Sequence, residues 1–227
     1  MLTTITGKKA VVIFLNMEKA FELANSRAIL TALARKGVGD KLLRWTQGHL
    51  TQYITLQNGT PQGSILSPHL FNTLMEELTS IALPTSTKVF CYADDVALVS
   101  TGPHHLRKAQ HAMNAITLGL KINVNKTRGL YFNGKRPPEP LKAHNNNIEW
   151  TYCHQYLGIW LDEKLTLQQH IRYPTDRVRS QLRVMRSITA TEGVAGFQVL
   201  KTYYLQAVRN IFDYAAPLLA AARPSQL

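Results

Sequence analysis

The chain has 227 residues, of which 45% are hydrophobic and 18% charged, which is enough for one large or two small globular domains. Its 26 Lys and Arg against 14 Asp and Glu give a formal net charge of +12, which favours a polyanionic partner, although a basic soluble protein without one has the same composition. Two cysteines, Cys91 and Cys153, exclude a disulfide framework or structural zinc site and indicate an intracellular protein, and no segment has the pattern of a signal peptide or membrane span.

The first half of the chain predicts strands and helices in alternation. A β-branched apolar run predicts a buried strand over 10–16, and helical spacing of apolar residues predicts two helices that follow it. A short strand ended by Asn-Gly comes next, and Ser67-Pro68 then opens a further helix. In chain order, these later elements are predicted over 26–36, 40–50, 53–56 and 67–83.

The second half begins with two apolar runs around an acidic pair, which predict a β-hairpin over 88–100. A helix, a strand, a Pro- and Asn-rich loop, a second hairpin and a mostly helical remainder follow, over 104–119, 122–132, 133–147, 149–161 and 168–222. This order predicts an α+β fold in which helices back an antiparallel or mixed sheet. The internal boundary is predicted near Tyr173-Pro174, which divides the chain into 1–172 and 173–227.

The strongest local motif is Tyr92-Ala93-Asp94-Asp95, which lies between apolar strands. Two adjacent carboxylates at a tight turn repel each other, and a divalent cation would neutralise them. Magnesium binds hard oxygen ligands, usually one or two carboxylates together with substrate phosphates. Taken alone, the pair is equally compatible with a solvated loop, which is the commoner situation.

A second motif is the segment Gly59-Thr60-Pro61-Gln62-Gly63-Ser64-Ile65-Leu66-Ser67-Pro68. Its two glycines allow the backbone to approach a ligand closely, and Gln62 offers both a donor and an acceptor there. A plain loop followed by a helix start has the same composition. The segment alone therefore names no function.

Together with three other segments, these motifs resemble the reverse transcriptases of LINE-type (non-LTR) retrotransposons. The stretch 14–22 resembles their first catalytic strand, 119–127 a following family segment, and 156–166 the hairpin before the thumb. Order and spacing agree over about residues 10 to 171. The resemblance implies a polymerase palm over 1–172, a partial helical thumb over 173–227, and fingers that are largely absent.

The activity implied by the resemblance is RNA-directed DNA polymerisation. The implied partners are an RNA template, a DNA primer and deoxynucleoside triphosphates, with no membrane. The implied cofactor is Mg²⁺, as two ions held by carboxylates of the first strand and the hairpin. Carried onto this sequence, the metal positions are Asp94, Asp95 and Asn16.

The resemblance also implies roles for four further residues. Lys126 matches a lysine proposed to protonate the leaving pyrophosphate, and Phe21 matches an aromatic residue that crowds the sugar 2′-position. Gln62 and Gly63 match residues near the incoming nucleotide. Without the family, Phe21 would be read as a core residue and Lys126 as a surface lysine.

Asn16 is the main departure from the family pattern, because an uncharged amide stands where the family has aspartate. We therefore expect weakened metal binding and impaired catalysis. Three hypotheses follow. The chain is a reverse transcriptase domain of an enzyme, a catalytically silent remnant that still binds nucleic acid, or a fragment without function that fails to fold alone.

Overall fold

The computed structural model describes residues 1, 5–17, 26–52, 64–117, 122–134, 139–143, 145–190, 196–214 and 216. Contacts between Cα atoms divide the chain into two units, Met1–Tyr152 and Cys153–Leu227. Each unit has its own secondary structure.

The first unit contains the predicted mixture of strands and helices. In chain order, it consists of β1 (Ala10–Asn16), α1 (Ser26–Arg35), α2 (Asp40–Gln52), α3 (Ser67–Thr79), β2 (Thr87–Tyr92), β3 (Asp95–Thr101), α4 (His105–Thr117), β4 (Arg128–Phe132), β5 (Lys142–Ala143), β6 (Asn146–Asn147) and β7 (Glu149–Thr151). The α+β prediction is confirmed at this level. The stretch predicted as a loop contains the small β5–β6 hairpin, and the strand predicted over 53–56 lies outside the described residues.

The main sheet has five strands in the order β2-β3-β1-β4-β7. All neighbouring pairs are antiparallel except β4 and β7, which are parallel. The prediction that Glu149 begins the second hairpin is therefore wrong, because this strand joins the main sheet. Two contacts fix the pairing: Arg128 Nη2 lies 3.1 Å from Glu149 Oε2, and Gly129 leaves room for the ring of Trp150.

One face of this sheet packs against the helices. Side chains at alternate positions of β1, namely Val11, Ile13 and Leu15, belong to a single buried apolar cluster. Helices α1, α3 and α4 contribute to the same cluster Ile29, Leu70, Phe71, Met75, Leu78, Ala109, Ala112, Met113 and Ile116. The alternation of a strand and the three-to-four spacing of the helices place these apolar side chains on facing surfaces.

The opposite face of the sheet carries Val12, Phe14 and Asn16 of β1. These side chains become less buried toward the end of β1, since Val12 is fully buried, Phe14 is 3% exposed and Asn16 is half-buried. The neighbouring hairpin end is more open, with Asp95 exposed and Tyr92 67% exposed. The sheet therefore presents polar side chains to solvent at the end where β1 finishes and the β2–β3 turn lies.

The second unit is a hairpin followed by helices. It consists of β8 (Cys153–Tyr156), β9 (Ile159–Asp162), α5 (Gln168–Ala190), α6 (Phe197–Tyr203), a π-helical segment (Tyr204–Arg209) and α7 (Asn210–Asp213). The carboxylate of Asp162 connects the hairpin to α5. It accepts hydrogen bonds from the backbone N–H groups of Lys164, Thr166 and Leu167 and from Thr166 Oγ1, at 2.8–3.1 Å.

Helix α5 is continuous across Tyr173-Pro174, where the sequence predicted a boundary. Proline removes one helical hydrogen bond, that to the carbonyl of His170, without ending the helix here. The boundary between the two compact units lies at Tyr152/Cys153 instead. The assignment of a palm to 1–172 and a thumb to 173–227 stays a prediction. In the part of the chain that the structure describes, no helix has the length and apolarity needed to cross a bilayer.

Candidate active site

The acidic pair lies at the tight turn between β2 and β3. Tyr92 and Asp95 are cross-strand partners, so Ala93 and Asp94 form a two-residue turn. Ala93 has φ +49°, and a positive φ at the first position of such a turn matches the right-handed twist of the flanking strands. The turn therefore places Asp94 at the tip of the hairpin and Asp95 at the first position of β3.

Position 16 lies directly beside this turn. In the antiparallel pairing of β1 with β3, the partner of Asn16 is Asp95, and on its other side Asp95 pairs with Tyr92. Directly opposed residues of antiparallel strands share a face, with Cβ atoms roughly 4.5–5.5 Å apart. Asn16, Asp95 and Tyr92 therefore form a row across three strands. Asp94, which directly precedes Asp95 in the chain, lies in the turn at the end of this row.

The two carboxylates of the turn affect each other electrostatically. Partial burial raises the pKa of Asp95, and the negative charge of Asp94 raises it further. Both effects disfavour the ionised form of Asp95. A cation bound at the turn would favour the ionised form of Asp95.

The end of β1 is held through the backbone of Asn16. Its N–H donates to Thr127 Oγ1 at 3.3 Å, and its carbonyl accepts from the N–H of Asn123 at 2.8 Å. Thr127 is fully buried, and its hydroxyl donates to the carbonyl of Asn123 at 2.9 Å. We call Asn123 and Thr127 the strand clamp, because together they bind both backbone groups of Asn16.

Lys126 belongs to the turn that contains the strand clamp. Its N–H bonds both the carbonyl and the side-chain oxygen of Asn123, each at 3.2 Å, and its side chain is exposed. The structure thus brings together Asn16, Asp95 and the turn that carries Lys126. The other predicted site residues, Phe21, Gln62 and Gly63, lie outside the described residues.

The strand clamp is the feature that sequence reasoning did not assign. Asn123 and Thr127 lie in the segment 119–127 that resembles the family, but the resemblance implies no role for either residue. The available signal was the asparagine three residues before Lys126, because an Asn side chain commonly accepts from a backbone N–H a few residues on and forms a turn. That signal predicts the turn, but it does not predict which strand the turn holds.

The described side chains can be tested against the ligand preferences of Mg²⁺. The carboxylates of Asp94 and Asp95 and the amide oxygen of Asn16 are hard oxygen donors of the type that Mg²⁺ prefers. Among the residues that the structure describes, no group of three or more His, Cys, Asp or Glu is placed to share a metal ion. The two acidic side chains and the one neutral amide match Mg²⁺ in the type of ligand atom that they offer.

Residues 2–161 match the family described as reverse transcriptase (RNA-dependent DNA polymerase). The chain belongs to the reverse transcriptase family. The matched region contains β1 with Asn16, the turn with Asp94 and Asp95, and the strand clamp with Lys126.

Individual relatives confirm the non-LTR retrotransposon type. The chain is 24% identical over 186 residues to "Probable RNA-directed DNA polymerase from transposon BS" of Drosophila melanogaster, a match that covers 75% of this chain and 20% of that protein. It is 25% identical over 194 residues to the RNA-directed DNA polymerase from mobile element jockey of the same species, covering 79% and 21%. A Pol polyprotein of the type-1 retrotransposable element R1 of Nasonia vitripennis is 24% identical over 149 residues, covering 59% and 44%. The matched region thus spans less than half of each of these reverse transcriptase relatives.

Solved structures of telomerase share the fold. Apo telomerase from Candida tropicalis, truncated from its C-terminal domain, matches with a TM-score of 0.51 at 16% identity, over 73% of this chain and 36% of that chain. Telomerase from Candida albicans in complex with a fragment of telomeric RNA matches with a TM-score of 0.52 at 10% identity, over 97% and 41%. At these identities the likeness concerns the fold, and it agrees with the five-stranded α+β arrangement of this reverse transcriptase chain.

Proposed function

We propose that this chain is the catalytic palm, with part of the thumb, of an RNA-directed DNA polymerase from a non-LTR retrotransposon. Its substrates are deoxynucleoside triphosphates, and its partners are an RNA template and a DNA primer. The observation that carries the proposal is the row formed by Asn16 and Asp95 with Asp94 at the adjacent turn, in a chain of the reverse transcriptase family.

The side chains of the row have distinct roles in this proposal. Asp94 and Asp95 supply carboxylate oxygens for Mg²⁺, and Asn16 supplies a neutral amide oxygen. When bound, two Mg²⁺ ions would activate the primer 3′-hydroxyl and stabilise the charge of the leaving pyrophosphate. Lys126 donates a proton to the leaving group.

The incoming nucleotide has its own proposed contacts in the same palm. Phe21 crowds the sugar 2′-position and so favours deoxynucleotides, and Gln62 and Gly63 contact the nucleotide itself. The family resemblance supports these three roles. The strand clamp keeps Asn16 in register with Asp95, because both backbone groups of Asn16 are bonded to it.

We further propose that Asn16 makes this copy a weak polymerase. An amide brings no charge to the metal, whereas two opposite unit charges at about 4 Å and an effective dielectric near 20 attract by roughly 4 kcal/mol. Solvent at the exposed turn reduces that term. A residual loss of about 1.4 kcal/mol would still lower the rate or the metal affinity about tenfold.

Primer extension on an RNA template tests the polymerase proposal. Asn16→Asp is expected to extend the primer about tenfold faster than the unmodified chain at limiting Mg²⁺, because it restores the missing ligand charge. The matched control is Asn147→Asp, the same chemical change at an exposed residue of β6, which should leave the rate unchanged. No extension by Asn16→Asp, even when a relative's fingers segment is joined to its N-terminus, would contradict the proposal.

A second candidate is a silent remnant that binds nucleic acid without copying it. Besides Asn16, the observation that favours it is a row of arginines on one face of α5, at helical spacings of seven, four and three residues: Arg172, Arg179, Arg183 and Arg186. All four side chains are exposed. Binding to an RNA–DNA duplex should then weaken steeply with salt, and a flat salt response would reject this candidate.

A further inference from the structure

The second unit contains a cavity of about 570 Å³, within the size range of small-ligand sites. Its walls come from four parts of the unit: the β8–β9 hairpin, α5, the π-helical segment and α7. None of the residues that line it in the structure is acidic. None of them belongs to the predicted polymerase site.

The backbone around this cavity is irregular in two places. Pro174 lines it and cannot donate a helical hydrogen bond, so the carbonyl of His170 loses its usual partner on the cavity wall. Gln206 and Ala207 line it from the π-helical segment. Single π-helical turns inside α-helices are rare and occur frequently at functional sites. Pro174 and the π-helical segment therefore bring two departures from regular α-helical hydrogen bonding to one cavity.

His170 adds a buried polar atom that lacks a partner. The residue is 3% exposed, and its Nδ1 accepts the N–H of Trp160 at 3.5 Å. Its Nε2 is buried and has no hydrogen-bond partner among the described residues. Burial lowers the pKa of His170, so the ring is neutral and carries its proton on Nε2. His170 lines the cavity, so its wall contains a buried donor that has no acceptor among the described residues.

Arg177 and Tyr173 form the charged and aromatic part of the lining. The guanidinium carbon of Arg177 lies 5.7 Å from the ring centroid of Tyr173. Within the described part of the chain Arg177 is in no ion pair, whereas Arg179, two residues later, lies 3.5 Å from Asp176. A guanidinium without a carboxylate partner that lies over an aromatic ring suits a ligand that is both anionic and planar, because planar groups stack on guanidinium planes.

Amide side chains complete the lining. Gln181 Oε1 accepts the hydroxyl of Tyr203, which leaves its NH₂ group as a donor, and Asn210 Nδ2 donates to the carbonyl of Gln206. Amide side chains form hydrogen bonds with the edges of bases that have left their own stack. Such bases also stack on aromatic rings or on arginine guanidinium planes. An apolar ligand would leave these groups and His170 Nε2 unsatisfied, and an uncharged ligand would not use Arg177.

We propose that this cavity binds a single unstacked nucleotide. The base stacks on the pair formed by the Arg177 guanidinium and the Tyr173 ring and bonds the amides, and the phosphate pairs with Arg177. The inference rests on the proposed nucleic-acid partner. A free nucleotide and a nucleotide flipped out of a single strand share this chemistry, and the experiment below separates them.

The test compares Arg177→Gln with Arg209→Gln in the 227-residue chain. Both variants remove one positive charge from an exposed arginine of the second unit that is outside the arginine row of α5, but only Arg177 lines the cavity. Each protein is titrated calorimetrically with uridine monophosphate, a short single-stranded RNA and an RNA–DNA duplex of the same sequence. Arg177→Gln should weaken binding of the ligand that uses the cavity about tenfold, as expected for loss of a charged hydrogen bond. Arg209→Gln should change it less than about twofold, and the duplex should not distinguish the variants.

Each result decides the proposal. An Arg177-specific effect on both uridine monophosphate and the single-stranded RNA, or on the single-stranded RNA alone, supports a flipped base, and one on uridine monophosphate alone supports a free nucleotide. Equal weakening by both variants, or no effect of either, overturns the proposal. A second readout is the ring resonances of Tyr173: no shift at saturating nucleotide means that no base stacks in the cavity, which also overturns it. Neither failure alters primer extension by Asn16→Asp, so the polymerase proposal is tested independently.

Discussion

The sheet of the first unit and the helices of the second unit position their polar side chains by different means. In the sheet, strand residues such as Val12 and Leu98 are fully buried, and the strand clamp fixes Asn16 to its neighbours. In the second unit, few of the described side chains are fully buried, and the carboxylate of Asp162 holds the start of α5. On the proposed function this difference is expected, because metal binding requires fixed geometry, whereas arginines that contact a phosphate backbone need less exact placement.

The largest effect should come from a cavity in the sheet core. Leu98→Ala is expected to lower the free energy of unfolding by about 3 kcal/mol, because Leu98 is fully buried between strands and helices. Val184→Ala on α5, where the side chain is 45% exposed, should change it by less than about 0.5 kcal/mol. Urea titrations followed by circular dichroism measure both.

This experiment also bears on the hypothesis of a fragment that does not fold. A cooperative urea transition in the unmodified chain would reject that hypothesis. Equal destabilisation by the two alanine variants would show that the core is not packed as described.

The next effect tests what holds the second unit. Asp162→Asn replaces one acceptor oxygen by an NH₂ group, so up to two of the four hydrogen bonds are lost, and we expect a loss of about 2 kcal/mol. The control is Glu163→Gln, which neutralises the neighbouring acid. Amide hydrogen exchange should quicken at the start of α5 in Asp162→Asn only. Protection unchanged from the parent chain would mean that the carboxylate does not hold the helix.

A smaller effect should come from Mg²⁺ binding, and it should show what the side chain at position 16 adds to the two acidic residues of the turn. Asn16→Asp should gain about 1.4 kcal/mol of stability, a few degrees in Tm, at Mg²⁺ tenfold above its Kd. The unmodified chain should gain less than half of this at the same Mg²⁺ concentration. Scanning calorimetry with Mg²⁺ and with Ca²⁺ measures the difference. A large Mg²⁺ shift in the unmodified chain would contradict the impairment that we assign to Asn16.

The smallest effect concerns the pH dependence of the turn. The pKa of Asp95 is raised in the folded chain, so the folded state keeps this proton to higher pH than the unfolded state. Stability should therefore fall as pH rises from the ordinary Asp pKa of about 3.9 through the raised value. Asp95→Asn lacks this contribution and should gain up to about 0.5 kcal/mol relative to the parent at neutral pH. Melting curves of both proteins across this range measure it, and parallel pH profiles would contradict it.

Local patterns in the sequence predicted much of the first unit. The apolar run of β1, the hairpin around Asp94 and the proline at the start of α3 each depend on neighbouring residues only. The parallel pairing of β7 with β4 was not predictable in this way, since it depends on a ring that packs over Gly129. The helix boundary expected at Pro174 was not predictable locally either, because packing around a proline decides whether a helix continues through it, as α5 does.

The candidate site was predictable to a similar extent. The motifs named Asn16, Asp94, Asp95 and Lys126 but could not give the register that pairs Asn16 with Asp95. That register is set by the antiparallel backbone pairing of β1 with β3, which are far apart in the chain. No periodicity within β1 contains that information.

The strand clamp has a consequence for how such a chain changes over generations. Because Asn123 and Thr127 bind the main chain at position 16, the clamp places no demand on the side chain there. On the proposed function, a change from aspartate to asparagine at this position removes a ligand charge and leaves the clamp's hydrogen bonds in place. A copy that lost replication in this way would keep its fold for longer, and it would persist as a strongly basic protein on which selection for a new task would act.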